Sequence, residues 1–463
     1  MVGSGRAHPY IPNSVPAVKA KLLAEIGVAD IDALYEDIPD ELRFKGKLNI
    51  PDGVTSEMEL QRHLENVLAG NKTCGENVSF LGGGCYRHYV PAVCDEIAGR
   101  SEFLTAYAGE PYEDHGRFQA LFEYQSLMGE LLDLDVVNVP TYDWGQAAST
   151  SIRMAGRVTG RKVVLVAGTI SPDRLRVIRT YCEPVMGIEL VGHSSPTAGL
   201  DMADLSNRLD DSVAGLYLEN PCYFGTVEES GSTIATALHG NGSVLIVGVD
   251  PISLGVLAPP SQYGADISCG DIQSLGNHMC FGGALGGFIG TRDEEKYVME
   301  YPSRLFGICR TERDGEWGFG DVAYGRTSFA VREQGREFVG TAAALYGITA
   351  AVYLSLLGPA GMCELGQHII QKTQYAMRRL AELEGVGIRF AGFHFKEFVV
   401  DFTATGRSVA EINRALAAQG IFGGKDLGAD FEELQGCALY AVTEVLTRED
   451  IDRLVDVLGA YLS

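Results

Sequence analysis

The chain has 463 residues, of which 46% are hydrophobic and 21% charged; that balance suits two or three folded domains and excludes disorder as the main state. The 37 basic residues against 61 acidic ones leave a formal net charge of −24. Such a chain repels phosphate backbones and anionic lipid, which argues against nucleic acid and membrane surfaces as partners. The 57 glycines follow no fixed period, so collagen is excluded and many tight turns are expected.

Residues 1–70 read as an N-terminal arm. Leu22, Leu23, Ile26, Ile31, Leu34 and Ile38 recur at roughly helical spacing, but Pro9, Pro12, Pro16, Pro39 and Pro51 interrupt the segment. The pattern predicts a segment lying on something else rather than an independent core. The first residues lack an apolar stretch of the secretory type, so no signal peptide is expected.

Residues 71–335 read as a large domain. A helix is predicted over Leu121–Leu134, then a turn region over Val139–Gly145. Apolar runs follow at Val163–Val166, Ile188–Val191, Gly215–Leu218 and Val244–Val249, with helical stretches near 172–183, 200–210 and 229–239. Uniformly apolar strands separated by helices predict a parallel sheet covered on both faces, a doubly wound α/β domain.

Residues 336–463 read as a linking helix and a small C-terminal α+β domain. Thr341–Met362 carries no formal charge and is long enough to span a bilayer, yet its glycines, Pro359 and polar residues suit a buried helix near 340–357 better. Phe398–Phe402 and Leu439–Val442 read as strands. Ser408 with Glu411, and Thr447 with Asp450, read as helix-opening capping pairs, the second followed by Ile451, Leu454, Val455 and Leu458 on one face.

The ten cysteines include no C-x-x-C pair, and reduced thiols in a cytoplasmic protein are the simplest expectation. No H-E-x-x-H, EF-hand or G-x-S-x-G sequence occurs, so neither a metal nor a serine nucleophile is expected.

Four features bear on chemistry. Val244–Val249 ends in Asp250 and a glycine-containing turn. A carboxylate at the carboxyl end of such a strand can hold a protonated ring nitrogen, as pyridoxal phosphate requires, or simply cap the next turn. Tyr142–Ser151 lies between a strand and a helix, where Gly145, Ser149 and Thr150 suit a phosphate, and Asp143 equally suits an ordinary N-cap. No lysine occurs between Lys162 and Lys296, so the stretch from Gly264 to Gly283, where a Schiff-base lysine would follow the aspartate, offers no amine. Finally, Gly82–Gly84 with Tyr86, His88 and Tyr89 forms a glycine loop with aromatic and imidazole groups. These groups can line a site, or His88 can be a structural hydrogen-bonding residue.

These residues occur in a wider order. Tyr10-Ile-Pro-Asn13, Asp37-Ile-Pro39, Phe80-Leu-Gly-Gly-Gly84, His88-Tyr-Val-Pro-Ala92 and Thr105-Ala-Tyr107 are followed by Phe122-Glu-Tyr-Gln125 and Tyr142-Asp143. Val249-Asp-Pro-Ile-Ser-Leu-Gly255, Tyr263-Gly-Ala-Asp-Ile267, Gln273-Ser-Leu-Gly276, Arg332-Glu-Gln334, Glu397-Phe398 and Thr443-Glu444 complete the series. In this order the sequence resembles subunit 1 of the split glycine decarboxylase, the P-protein of the glycine cleavage system, along essentially the whole chain. The resemblance implies the aminotransferase-like type I fold of pyridoxal-phosphate enzymes. It implies that the cofactor lysine belongs to a lysine-bearing subunit 2, that glycine is decarboxylated, and that its aminomethyl group passes to the lipoyl arm of the H-protein.

Three departures from the family pattern stand out. Thr105–Gly116 replaces T-A-Y-T-P-Y-Q-P-E-x-S-Q-G and is one residue shorter, Trp144 replaces the glycine of Y-D-G, and Gly335–Leu345 replaces a basic loop after Arg332-Glu-Gln334.

The expected cleft residues are His88, Tyr107, Tyr112 and Tyr142. Asp250, Ser149, Gln273 and His278 are expected on the cofactor side, and Arg332 is expected to pair with a substrate carboxylate. The alternatives are a diverged paralogue acting on another amino acid and a non-catalytic scaffold subunit.

Overall fold

The computed structural model describes residues 11, 14–51, 53–54, 56–103, 117–194, 197–280, 286–303, 305–322, 335–337 and 343–463. The chain forms two compact units, Met1–Asn71 and Lys72–Ser463. The first carries helices α1 (Pro16–Ile26) and α2 (Glu57–Leu68), neither of which has a buried side chain. Proline at the start of α1 and left-handed Gly27 at its end delimit that helix.

The second unit opens with β1 (Val78–Ser79), α3 (Ala92–Ala98) and α4 (Phe118–Leu132). A strand–helix alternation follows: β2 (Val136–Val137), α5 (Trp144–Thr159), β3 (Val163–Ala167), α6 (Pro172–Cys182), β4 (Gly187–Val191), α7 (Met202–Arg208), β5 (Val213–Glu219), α8 (Gly231–Gly240), β6 (Val244–Val249), β7 (Ile267–Asp271) and β8 (Gly287–Thr291). The seven strands pair in the order β2-β8-β7-β6-β5-β3-β4. Strands β5 and β6 are buried at every residue, as expected of strands covered on both faces. The sheet is not wholly parallel: β8 pairs antiparallel with both β7 and β2.

A short helix α9 (Glu295–Val298) and an antiparallel hairpin, β9 (Phe306–Arg310) with β10 (Trp317–Asp321), lead to α10 (Ala344–Ala381). The predicted end near 357 coincides with a break: Gly358 (φ 59°) leaves helical geometry just before Pro359, and a second helical stretch then runs on to Ala381, so that α10 is two helices joined at a kink. It is long and apolar enough to cross a membrane by composition. However, Ala350, Tyr353, Leu354, Met362 and Ile369 join a core with Tyr124 and Met128 of α4 and Ile252, so its apolar face is occupied by the fold.

The remainder is β11 (Gly387–Ile388), β12 (Glu397–Asp401), α11 (Val409–Ala418), β13 (Ile421–Phe422), β14 (Lys425–Asp426), β15 (Cys437–Ala441) and α12 (Arg448–Leu462). Strands β11-β12-β15-β14 form an antiparallel sheet with its own core of Phe398, Val400, Ile412, Leu416, Leu454 and Leu458. Both predicted capping boxes are present, Ser408 with Glu411 and Thr447 with Asp450. All ten cysteines are free thiols.

Candidate active site

Parallel register decides where the site lies. Gly248 pairs with Glu219, and Val249 with Gly270. Glu219, Asp250 and Asp271 therefore stand side by side at the carboxyl ends of β5, β6 and β7, the edge where ligands collect in an open α/β sheet. Like charges this close repel, so each needs a counter-group.

The chain supplies all three. Arg174, from the first turn of α6, holds Glu219 bidentately, with Nε and Nη2 each 2.6 Å from a carboxylate oxygen. Its guanidinium also stacks 4.1 Å from the centroid of the Trp144 ring. Asp250 caps the following turn through the Ile252 N–H at 3.0 Å, and its other oxygen pairs with the ammonium of Lys396. Asp271 accepts from the backbone N–H groups of Gln273 and Trp144; burial nonetheless pushes its carboxyl up to about 7, aided by the facing Asp143. Asp143 itself caps α5, accepting from the Gln146 N–H at 2.7 Å.

The glycine loop closes the cup from above. Tyr86 donates to Glu397 at 2.8 Å, and the Gly83 N–H donates to the same carboxylate at 2.6 Å. Burial drives the Glu397 carboxyl up to about 7 against these bonds and the nearby Lys396 and Arg174 charges. His88 is buried between Lys396, 2.9 Å from Nε2, and Glu444, 2.8 Å from Nδ1. An ammonium has no acceptor, so Nε2 accepts and Nδ1–H donates to the carboxylate, which assigns the neutral imidazole tautomer. Burial works to raise the Glu444 carboxyl, but the hydrogen bonds from His88 and from the Tyr89 N–H hold it below the ordinary carboxylate range. Lys396 also lies 4.2 Å from the Tyr86 ring centroid.

The sequence-predicted residues separate into three groups. Asp250 and His88 come together through Lys396. Tyr142 and His278 lie on the surface, Tyr142 63% exposed and His278 paired with Asp95 at 2.9 Å. Ser149 and Gln273 are buried and used locally: the Ser149 hydroxyl donates to the Gly145 carbonyl at 2.7 Å, and Gln273 bridges the Tyr86 N–H and the Asn277 carbonyl. Tyr107, Tyr112 and Arg332 lie outside the described residues.

One expectation is corrected. The stretch 264–283 has no lysine, but the cup does contain an amine, delivered by Lys396 immediately before β12. Sequence distance concealed it, since 146 residues separate it from Asp250. Lys396 precedes Glu397-Phe398, a pair already notable in the sequence, and Glu219 ends an apolar strand just as Asp250 follows one.

Pyridoxal phosphate does not fit this cup. The carboxylate that would face the ring nitrogen is taken by Lys396, carboxylates stand at the α5 N-terminus where a phosphate would sit, and the cavity among Tyr86, Trp144, Arg174, Asp250 and Lys396 is about 20 Å³, room for about one water.

The family described as "Glycine cleavage system P-protein" matches residues 8–458. A probable glycine dehydrogenase (decarboxylating) subunit 1 of Staphylothermus marinus is 39% identical, covering 99% of both chains. Its namesake in Carboxydothermus hydrogenoformans is 38% identical, covering 97% of this chain and 99% of the relative. The crystal structure of an inhibitor-bound glycine decarboxylase (P-protein) superposes with TM-score 0.83 at 30% identity, covering 98% of this chain and 99% of that one. A sphingosine-1-phosphate lyase of Burkholderia pseudomallei shares the fold alone, with TM-score 0.64 at 13% identity over 91% of this chain and 94% of its own. With the aminotransferase-like type I fold and this near-complete coverage, the chain belongs to the glycine cleavage system P-protein family.

Proposed function

We propose that this chain is the lysine-less subunit of a two-chain glycine decarboxylase. In that enzyme glycine and the lipoyl H-protein give the aminomethyl-lipoyl H-protein and CO2, with pyridoxal phosphate held on a lysine of a subunit 2-like partner. The observation that carries this reading is the self-filled cup. Every carboxylate at the sheet edge is answered from within the chain, so the cofactor's aldehyde has no free amine to meet there.

The contribution of this chain is then structural support of the shared cleft from its exposed rim. Tyr142 is the rim group suited to reach the partner's site, whereas His88 is a positioning residue held inside. Tyr107, Tyr112 and Arg332 keep the roles the family resemblance implies. The free thiols support a cytoplasmic, reducing setting.

The test is reconstitution. Release of labelled CO2 from carboxyl-labelled glycine, with lipoyl H-protein present, is expected to require both chains. Full turnover by the partner alone overturns the catalytic role. No release from the complete mixture favours a diverged paralogue acting on another amino acid.

A further inference from the structure

Apart from where the cofactor is bound in the two-chain enzyme, the cup raises the question of what took the cofactor's place. Lys396 is 1% exposed, and a lone buried ammonium is strongly disfavoured. This one donates to Asp250 and to His88 Nε2 and lies against the Tyr86 ring. It thus occupies the position opposite the strand-end carboxylate that suits a ring cation.

The backbone reports the same constraint. Lys396 has φ 65°, a left-handed conformation that is disfavoured for a residue carrying a side chain. The surroundings impose it. The Phe395 N–H donates to the Gly225 carbonyl at 2.9 Å and the Val442 N–H to the Lys396 carbonyl at 2.8 Å, so the main chain is held on both sides while the side chain points at Asp250.

The size also matches. Lys396 fills the cup except for a space of about 20 Å³. Cutting its side chain back to hydrogen removes four methylenes and the ammonium nitrogen, one heavy atom fewer than a pyridine ring holds, from among Tyr86, Trp144, Phe395 and the Asp250 carboxylate, which also line the residual space.

We propose that Lys396 is a built-in substitute for a pyridinium ring: it fills a ring-sized vacancy, neutralises Asp250, and by doing so from the C-terminal sheet ties that sheet to the carboxyl edge of the large one. The vacancy is a latent site for a protonated pyridine, closed by this one side chain.

The test uses the full-length chain and its K396G variant, with pyridine and benzene as probes, below the pKa of pyridine. Glycine tolerates the left-handed backbone. Pyridine is expected to raise the melting temperature of K396G saturably and to leave the wild type unchanged, because a ligand of the native state stabilises it by mass action. Adding D250N is expected to weaken pyridine binding about tenfold, the loss of a charge-assisted hydrogen bond. No pyridine effect on folded K396G, or an equal effect of benzene, overturns the proposal.

If K396G does not fold, the wild-type chain still decides. It is treated with pyridoxal phosphate and borohydride, and its peptides are mapped. A reduced adduct on Lys396 overturns the proposal, and an unmodified Lys396 supports it. None of these readouts involves turnover, so their failure is distinct from failure of the two-chain reaction.

Discussion

Lys396 donates to Nε2 of His88 at 2.9 Å, and this contact makes the imidazole a neutral relay between an ammonium and the Glu444 carboxylate. Replacing His88 with alanine removes the relay and leaves two buried charged groups short of a partner. The expected loss is about 2–4 kcal/mol in urea unfolding, with H88Q milder because it keeps a donor and an acceptor. A change in H88A within the scatter of surface substitutions would count against the relay.

Glu397 gives the fold a pH dependence of known sign. Burial places its folded-state carboxyl at about 7, above the ordinary 4.5, so the folded state binds more protons than the unfolded one between these values. Its contribution is present at acid pH and is lost as pH rises through about 7. E397Q is expected to flatten the fall of unfolding free energy between about pH 5 and about pH 7. Asp271, raised to about 7 by burial and by Asp143, leaves a residual slope that D271N removes. Identical slopes in wild type and E397Q would refute the assignment.

The Arg174–Glu219 pair depends on a planar fork. R174K keeps the charge but loses one of two parallel hydrogen bonds and the stacking on Trp144, and is expected to destabilise by about 1–3 kcal/mol. A double-mutant cycle with E219Q measures the coupling; zero coupling would contradict the geometry.

Two glycines separate backbone strain from steric clash. Gly225 has φ 85°, and a Cβ there would lie 1.8 Å from the Glu397 carbonyl oxygen, whereas Gly160 has φ 71° with nothing within 4 Å. G160A is expected to lose about 1 kcal/mol from strain alone. G225A is expected to lose about 3 kcal/mol or more, because overpacking adds to the strain. Thermal melting of both variants checks the order.

Tyr142 tests the rim. Its side chain is 63% exposed, so Y142A is expected to leave stability within about 0.5 kcal/mol while lowering two-chain turnover. Normal turnover with normal assembly would favour a scaffold role.

The alternation of apolar runs and helices was legible because burial on both faces makes strands such as β5 and β6 uniformly apolar, and the capping boxes were legible because their residues lie three apart. The antiparallel β8 was not, since strand direction leaves no mark on apolar composition. The break in α10 was legible from Gly358 and Pro359, which do interrupt the helix there; the second helical stretch that follows Pro359 was not.

By itself, the sequence determined the family, the type I fold, the strand-end aspartate at 250 and the absence of lysine after it, all matters of local pattern and chain order. Only the tertiary structure decided that Asp250 is already paired. Its partner, Lys396, lies 146 residues away and is brought to the carboxyl edge by the C-terminal sheet, and electrostatic neutralisation depends on distance in space rather than along the chain.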